Sequence, residues 1–144
     1  MNALSRLQAI PGQEIIRVSS WYFTEPVGIE DPEWFINGVV LLDTSLFPEI
    51  LLQQMLEIET AMGRKRTVKW GPRVIDLDLL CYDQLILNSP DLTLPHPFLE
   101  KRRFVLEPMA EIAPDYCHPV LQKTVIQLRN ELGNEGQSLI RLPD

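Results

Sequence analysis

Hydrophobic and polar positions follow two different periods along this chain, and the places where the period changes mark its elements. Residues 14–23, EIIRVSSWYF, are dense in β-branched and aromatic types and predict a strand, as do residues 34–43, WFINGVVLLD. The intervening TEPVGIEDPE, full of acids and turn-formers, reads as an exposed loop joining an antiparallel pair. From 47 to 63, FPEILLQQMLEIETAMG, the apolar period lengthens to that of a helix. Leu51, Met55, Ile58 and Met62 recur on one face, Pro48 and Glu49 suit the first turn, and Gly63 suits the end. Residues 73–82 return to strand alternation, with Ile75, Leu77 and Leu79 on one face and Val74, Asp76, Asp78 and Leu80 on the other. Further on, LIL (85–87) suggests a hairpin partner for that strand, and RRFVLEPMAEIAP a short helix interrupted near Pro108. TVIQLRNELG (124–133) predicts an amphipathic helix capped by Thr124 and Gly133, and SLIRL a closing strand.

Mixed elements in this order, with antiparallel neighbours, predict an α+β sandwich whose helices pack on one sheet face, leaving the two aspartates on the other. No repeat, low-complexity tract or linker interrupts the chain, so residues 1–144 are expected to form a single domain. There is neither a run of eighteen apolar residues nor a signal-peptide progression, which points to a cytoplasmic protein with no membrane partner. Cys81 and Cys117 are too few and too far apart for a metal knuckle or redox pair and read as buried, inert thiols. His118, among turn-formers, reads as a surface residue.

The net charge of −7 argues against a nucleic-acid platform, yet eight of the thirteen basic residues gather in two places. Arg64, Lys65, Arg66, Lys69 and Arg73 form one group, and Lys101, Arg102 and Arg103 the other. Screening acts over about 8 Å at physiological salt, so an anion near these loops feels them more than the distant acidic surface. Beside the first group, Asp76 and Asp78 would share a strand face with backbones roughly 7 Å apart. Two such carboxylates repel each other unless a cation neutralises them, and magnesium, which binds through one or two carboxylates plus water and phosphate, fits best. The competing reading is a solvated face with two ordinary aspartates, beside a solvated basic loop. Arginine forks suit phosphate, and metal plus arginines suggests a nucleotide, although no G-x-x-x-x-G-K-[ST] loop is present. Asn37, between Phe35 and Gly38, offers an amide to a planar heterocycle with an aromatic ring to stack on it. His96, in LPHPF, is a loop histidine able to donate to a phosphate.

Taken together, these residues resemble the 6-hydroxymethyl-7,8-dihydropterin pyrophosphokinase family. KWGPRVIDLDLL resembles the family signature, and VSSWYFTEPVG, FINGVV and LPHPFLEKRRFVLEPMAEIAP appear in the right order, so the likeness runs from about residue 4 to about residue 115. The resemblance implies a ferredoxin-like antiparallel sheet and transfer of pyrophosphate from ATP to a pterin hydroxymethyl group, with release of AMP. It also implies two magnesium ions held by Asp76 and Asp78, which with Arg64 and Arg73 would form the catalytic set. Glu59, Arg64, Arg66, Lys69, Trp70, Arg73, His96 and Arg102 would contact ATP. Thr24, Val27, Phe35, Asn37 and Phe104 would grip the pterin, the two phenylalanines stacking on either face of its ring.

Lys69 stands in place of an arginine, Pro97 in place of an aromatic, and the loop from Arg66 to Trp70 is one residue short of the family pattern. The family also opens with a core strand and a Gly-Ser-Asn turn, whereas MNALSRLQAI matches only the end of the helix that follows. That strand would run beside the aspartates, and each buried backbone group it leaves unpaired costs roughly 1–3 kcal/mol against a domain margin of about 5–15 kcal/mol. The sheet is therefore expected to be completed by self-association or by a rearranged strand such as 138–142, unless the chain is a fragment. Two rivals stay open: another Mg-nucleotide transferase on the same fold, and a non-catalytic α+β binding module.

Overall fold

Proline at the first helical position lacks only an N–H that has no helical partner there, and its fixed φ suits the turn. Accordingly, in the computed structural model, which describes residues 3–25, 35–63, 76–133 and 138–143, helix α2 (Pro48–Ala61) begins on Pro48. It buries Leu51, Met55 and Ile58 along one side. A short α1 (Ala3–Gln8) lays Ala3 and Leu7 against them. Helix α3 (Arg103–Ile112) buries Val105, Leu106, Met109, Ala110 and Ile112, and α4 (Val125–Leu132) packs on it through Val125 and Leu128. Thr124 caps α4 as predicted: its hydroxyl accepts from Gln127 N while the Gln127 side chain accepts from Thr124 N.

The two strands expected at 14–23 and 34–43 form, and each is broken once. β1 (Gln13–Val18) pairs antiparallel with β4 (Val40–Thr44), with an irregularity between Ile15 and Arg17. Beyond the break, β2 (Tyr22–Thr24) pairs with β3 (Phe35–Asn37) on one edge and with β7 (Leu139–Arg141) on the other. A C-terminal strand does form within 138–142, but it pairs with β2 and does not fill the place expected beside the aspartate segment. β5 (Leu87–Asn88) and β6 (Thr93–Leu94) make a small separate hairpin, so the 85–87 segment pairs forward along the chain and not with the aspartate segment.

The largest departure from expectation lies at 76–82, which belongs to no strand; residues 64–75 fall outside the described ones. A strand needs a neighbour to take its N–H and C=O groups, and among the described residues none runs alongside. Side chains hold the segment instead. Leu77, Leu79 and Tyr82 pack on the α1–α2 cluster, while Leu80 and Cys81 pack on the α3–α4 cluster. The α+β class and antiparallel pairing are as predicted, and the helices pack in pairs, α1 with α2 in one cluster and α3 with α4 in the other. Three smaller corrections follow from local surroundings. α3 runs through Pro108 without interruption, His118 is 5% exposed because its Nδ1 accepts from the N–H groups of Val120 and Leu121, and Cys117 is exposed. Cys81 is half-buried against the α3–α4 cluster, its pKa pushed up by desolvation to about 11.

Candidate functional site

Phe35 and Asn37 are two apart on β3 and so share a face, and the register sets Thr24 of β2 directly opposite Phe35 and Tyr22 opposite Asn37. This face looks onto the start of α3. Thr24 is fully buried, and its hydroxyl donates to Asn37 Oδ1; the Asn37 Nδ2 group donates to the backbone carbonyl of Phe104. The rings of Phe35 and Phe104 meet edge to face, centroids 5.6 Å apart and planes at 83°. Four of the five residues expected to grip a heterocycle are thus brought into one cluster; Val27 lies outside the described residues. Parallel stacking on either side of a planar ring requires two van der Waals contacts, roughly 7 Å between the phenyl planes. In this structure the rings touch each other, so a heterocycle entering between them must turn one and part them.

A second cluster lies along the extended segment. Asp76 and Asp78 are exposed and alternate with half-buried Leu77 and Leu79, so both carboxylates occupy the open side even without a strand. The amide between them is held from behind: Glu59, 4% exposed on α2, accepts from Leu77 N at 2.6 Å. His96 is tied to the same segment through its own N–H, which donates to Leu80 O at 2.8 Å. Burial lowers the pKa of His96; the negative charge of Asp78 opposes that shift, Arg102 adds to it, and Glu100 opposes it. The imidazole is therefore neutral at physiological pH, flanked by a carboxylate and a guanidinium. The Arg102 guanidinium carbon sits 5.4 Å from the ring centroids of both Phe98 and Phe104, which fixes its plane by cation–π contact.

Two exposed carboxylates suit a cation that takes its other ligands from water and phosphate. Among the described residues no group of three or more His, Cys, Asp or Glu side chains is placed to enclose a metal, as a closed structural site would require. The donor set fits magnesium. Arg64, Arg66, Lys69, Trp70 and Arg73 lie outside the described residues.

Sequence reasoning missed one polar network beside the amide cluster. The Glu111 carboxylate accepts from Ser20 N, Ser20 Oγ (2.6 Å) and Tyr22 Oη, with Arg141 of β7 at 3.5 Å. Burial pushes Glu111 up, but these donors outweigh it and hold the carboxyl below its ordinary range. Its members stand up to 121 residues apart, and no spacing rule joins them.

The family model described as 7,8-dihydro-6-hydroxymethylpterin-pyrophosphokinase (HPPK) matches residues 1–114. The chain is 48% identical over 126 residues to the 2-amino-4-hydroxy-6-hydroxymethyldihydropteridine pyrophosphokinase of Synechocystis sp., a match covering 88% of this chain and 64% of that protein. It is 48% identical over 113 residues to the protein of the same name from Methylorubrum extorquens, covering 78% and 72%. The folic acid synthesis protein fol1 of Schizosaccharomyces pombe is 39% identical over 134 residues, covering 93% of this chain and 18% of the larger protein. The chain thus spans just under two thirds of the Synechocystis relative.

Proposed function

We propose, since this chain belongs to the 7,8-dihydro-6-hydroxymethylpterin-pyrophosphokinase family, that it transfers pyrophosphate from ATP to 6-hydroxymethyl-7,8-dihydropterin as a step of folate biosynthesis in the cytoplasm. The observation that carries the reading is the position of Arg102. Its guanidinium stacks on Phe104, a wall of the amide and aromatic cluster, and also bears on His96 beside Asp78. One side chain thereby joins a place for a heterocycle to a place for phosphates. In the reaction the pterin hydroxyl oxygen bonds to the β-phosphorus, the bond from that phosphorus to the α-phosphate oxygen breaks, AMP leaves, and the hydroxyl proton passes to solvent. Little covalent help is required beyond in-line placement and charge neutralisation.

Asp76 and Asp78 would hold magnesium, for which we propose two ions, supplying charge neutralisation along the triphosphate. Neutral His96 accepts at Nδ1 from Phe98 N at 3.5 Å, a long contact that leaves the proton on Nε2 as a donor to phosphate oxygen. Arg102 adds a fixed positive fork. Thr24 and Asn37 present the hydrogen-bonding edge for the pterin, with Phe35 and Phe104 its stacking partners. The basic residues Arg64, Arg66, Lys69, Trp70 and Arg73, with Val27 on the pterin side, complete the reading by resemblance alone.

AMP release from ATP, with and without the hydroxymethylpterin, tests the activity. Pterin-dependent AMP is expected, and Asp78→Asn should lower it roughly a hundredfold or more, the equivalent of about 3 kcal/mol of transition-state stabilisation. Turnover indifferent to pterin would instead point to another nucleotide transferase, and silence from a folded chain to a binding module.

A further inference from the structure

Pro108 lies in the middle of α3, and the helix continues through it. Proline has no N–H, so the carbonyl four residues earlier, that of Phe104, loses its helical donor. That carbonyl is the one that accepts from Asn37 Nδ2. A carbonyl can only accept, so it must be met by the NH2 end of the amide, and Oδ1 must turn the other way, toward the Thr24 hydroxyl that donates to it. The direction in which the Asn37 amide points is therefore set by a backbone vacancy that proline creates. What remains on the amide is one N–H and one oxygen lone pair, in a fixed left-right order. An aminopyrimidinone edge also presents donors and acceptors in a fixed order, and an amide turned over would set donor against donor.

We infer that Pro108 is a positioning residue for pterin recognition: by denying Phe104 its helical hydrogen bond, it fixes the donor–acceptor polarity of Asn37. The inference rests on the reading above that Asn37 faces the pterin. Its signature is a separation of stability from binding. Pro108 is fully buried, so Pro108→Ala leaves a small cavity, but removing an interior proline also relieves the helix, and the two should nearly cancel in the melting temperature. Yet the substitution restores an N–H to Phe104 O and frees the amide to rotate.

The test uses the full chain with Mg-ATP and the hydroxymethylpterin. Pro108→Ala should raise the KM for pterin on the order of tenfold, with kcat and the KM for ATP within about twofold. Pro108→Val, which leaves no cavity at this fully buried position and also restores the N–H, should behave alike. In proton–nitrogen spectra the Asn37 side-chain amide should show one protected proton in the parent chain and none in either variant. A normal pterin KM in Pro108→Val alongside a raised one in Pro108→Ala would assign the effect to lost packing and overturn the inference. So would unchanged KM and unchanged spectra in both. Asn37→Ala checks the underlying reading separately: a pterin KM unmoved by that change removes Asn37 from the binding site, whatever the proline variants do.

Discussion

Glu59 shows how much of this site depends on a side chain that faces away from it. Its carboxylate is 4% exposed and accepts the one backbone N–H that separates Asp76 from Asp78. Glu59→Ala would strand that amide at a cost of about 1–3 kcal/mol, and would loosen both carboxylates, so Mg-dependent ATP binding measured by titration calorimetry should weaken in step with the melting temperature. Glu59→Gln keeps an acceptor oxygen and should retain most of both. The position of Glu59 before the basic loop is legible in the sequence; that it grips Leu77 is not, because a hydrogen bond across 18 residues has no periodicity. His118 is the opposite case, a residue that reads as surface from its turn-rich neighbours and is buried as an acceptor for two amides. Desolvation holds its pKa below the ordinary value, with Glu100 pulling weakly the other way. Folding thus favours the neutral ring: the associated stability is present above about pH 6.5 and is lost as pH falls through that value toward the folded pKa. The melting temperature should drop between about pH 7.5 and pH 5.5, and His118→Gln, which accepts without titrating, should flatten part of that drop. His96, shifted the same way, keeps the remainder.

At the scale of elements, the hairpin breaks where Trp21 crosses Gly38. A Cβ on Gly38 would lie 2.9 Å from the indole and 3.0 Å from Ser19 Oγ, which itself accepts from Val39 N at 2.8 Å. Gly38→Ala must displace one of them, and denaturant unfolding should show a loss of about 1–3 kcal/mol. The break falls on Ser19-Ser20-Trp21 in one strand and on Gly38-Val39 in the other, and the hydrophobic pattern hides it because strand-forming residues resume at once on either side. The α2 and α4 helices were legible because their start signals, Pro48 at the first turn of one and Thr124 capping the other, agree with their apolar period and with the glycines that follow them. α3 misled because proline normally ends a helix, and here a side chain from another element satisfies the carbonyl that proline orphans. The aspartate segment misled differently. Its alternation survives, with Leu77 and Leu79 inward and both carboxylates outward, while strand pairing, a property of two segments and not one, does not form.

Across the whole molecule, the two apolar clusters raise the question of whether the chain unfolds as one body. Each has its own fully buried centre, Leu51 between α1 and α2, and Leu106 between α3 and α4. What links them is narrow but covalent. Residues 77–82 send Leu77, Leu79 and Tyr82 into the first and Leu80 and Cys81 into the second, and β4 places Leu42 in the first while Val39, just before β4, packs on the second. Arg17 of β1 adds a hydrogen bond to the Ile112 carbonyl at the end of α3. Opening either cluster therefore withdraws half the contacts that hold the aspartate segment and the hairpin, which lowers the stability of the other. We propose that residues 1–144 form one cooperative domain. Leu51→Ala and Leu106→Ala should each cost about 2–5 kcal/mol, and each should move the same single calorimetric transition, with van't Hoff and calorimetric enthalpies equal. Two transitions, of which each variant shifts only its own, would show that the clusters fold separately and that the proposed phosphate-side and pterin-side halves of the site are joined only through the 76–82 segment between them.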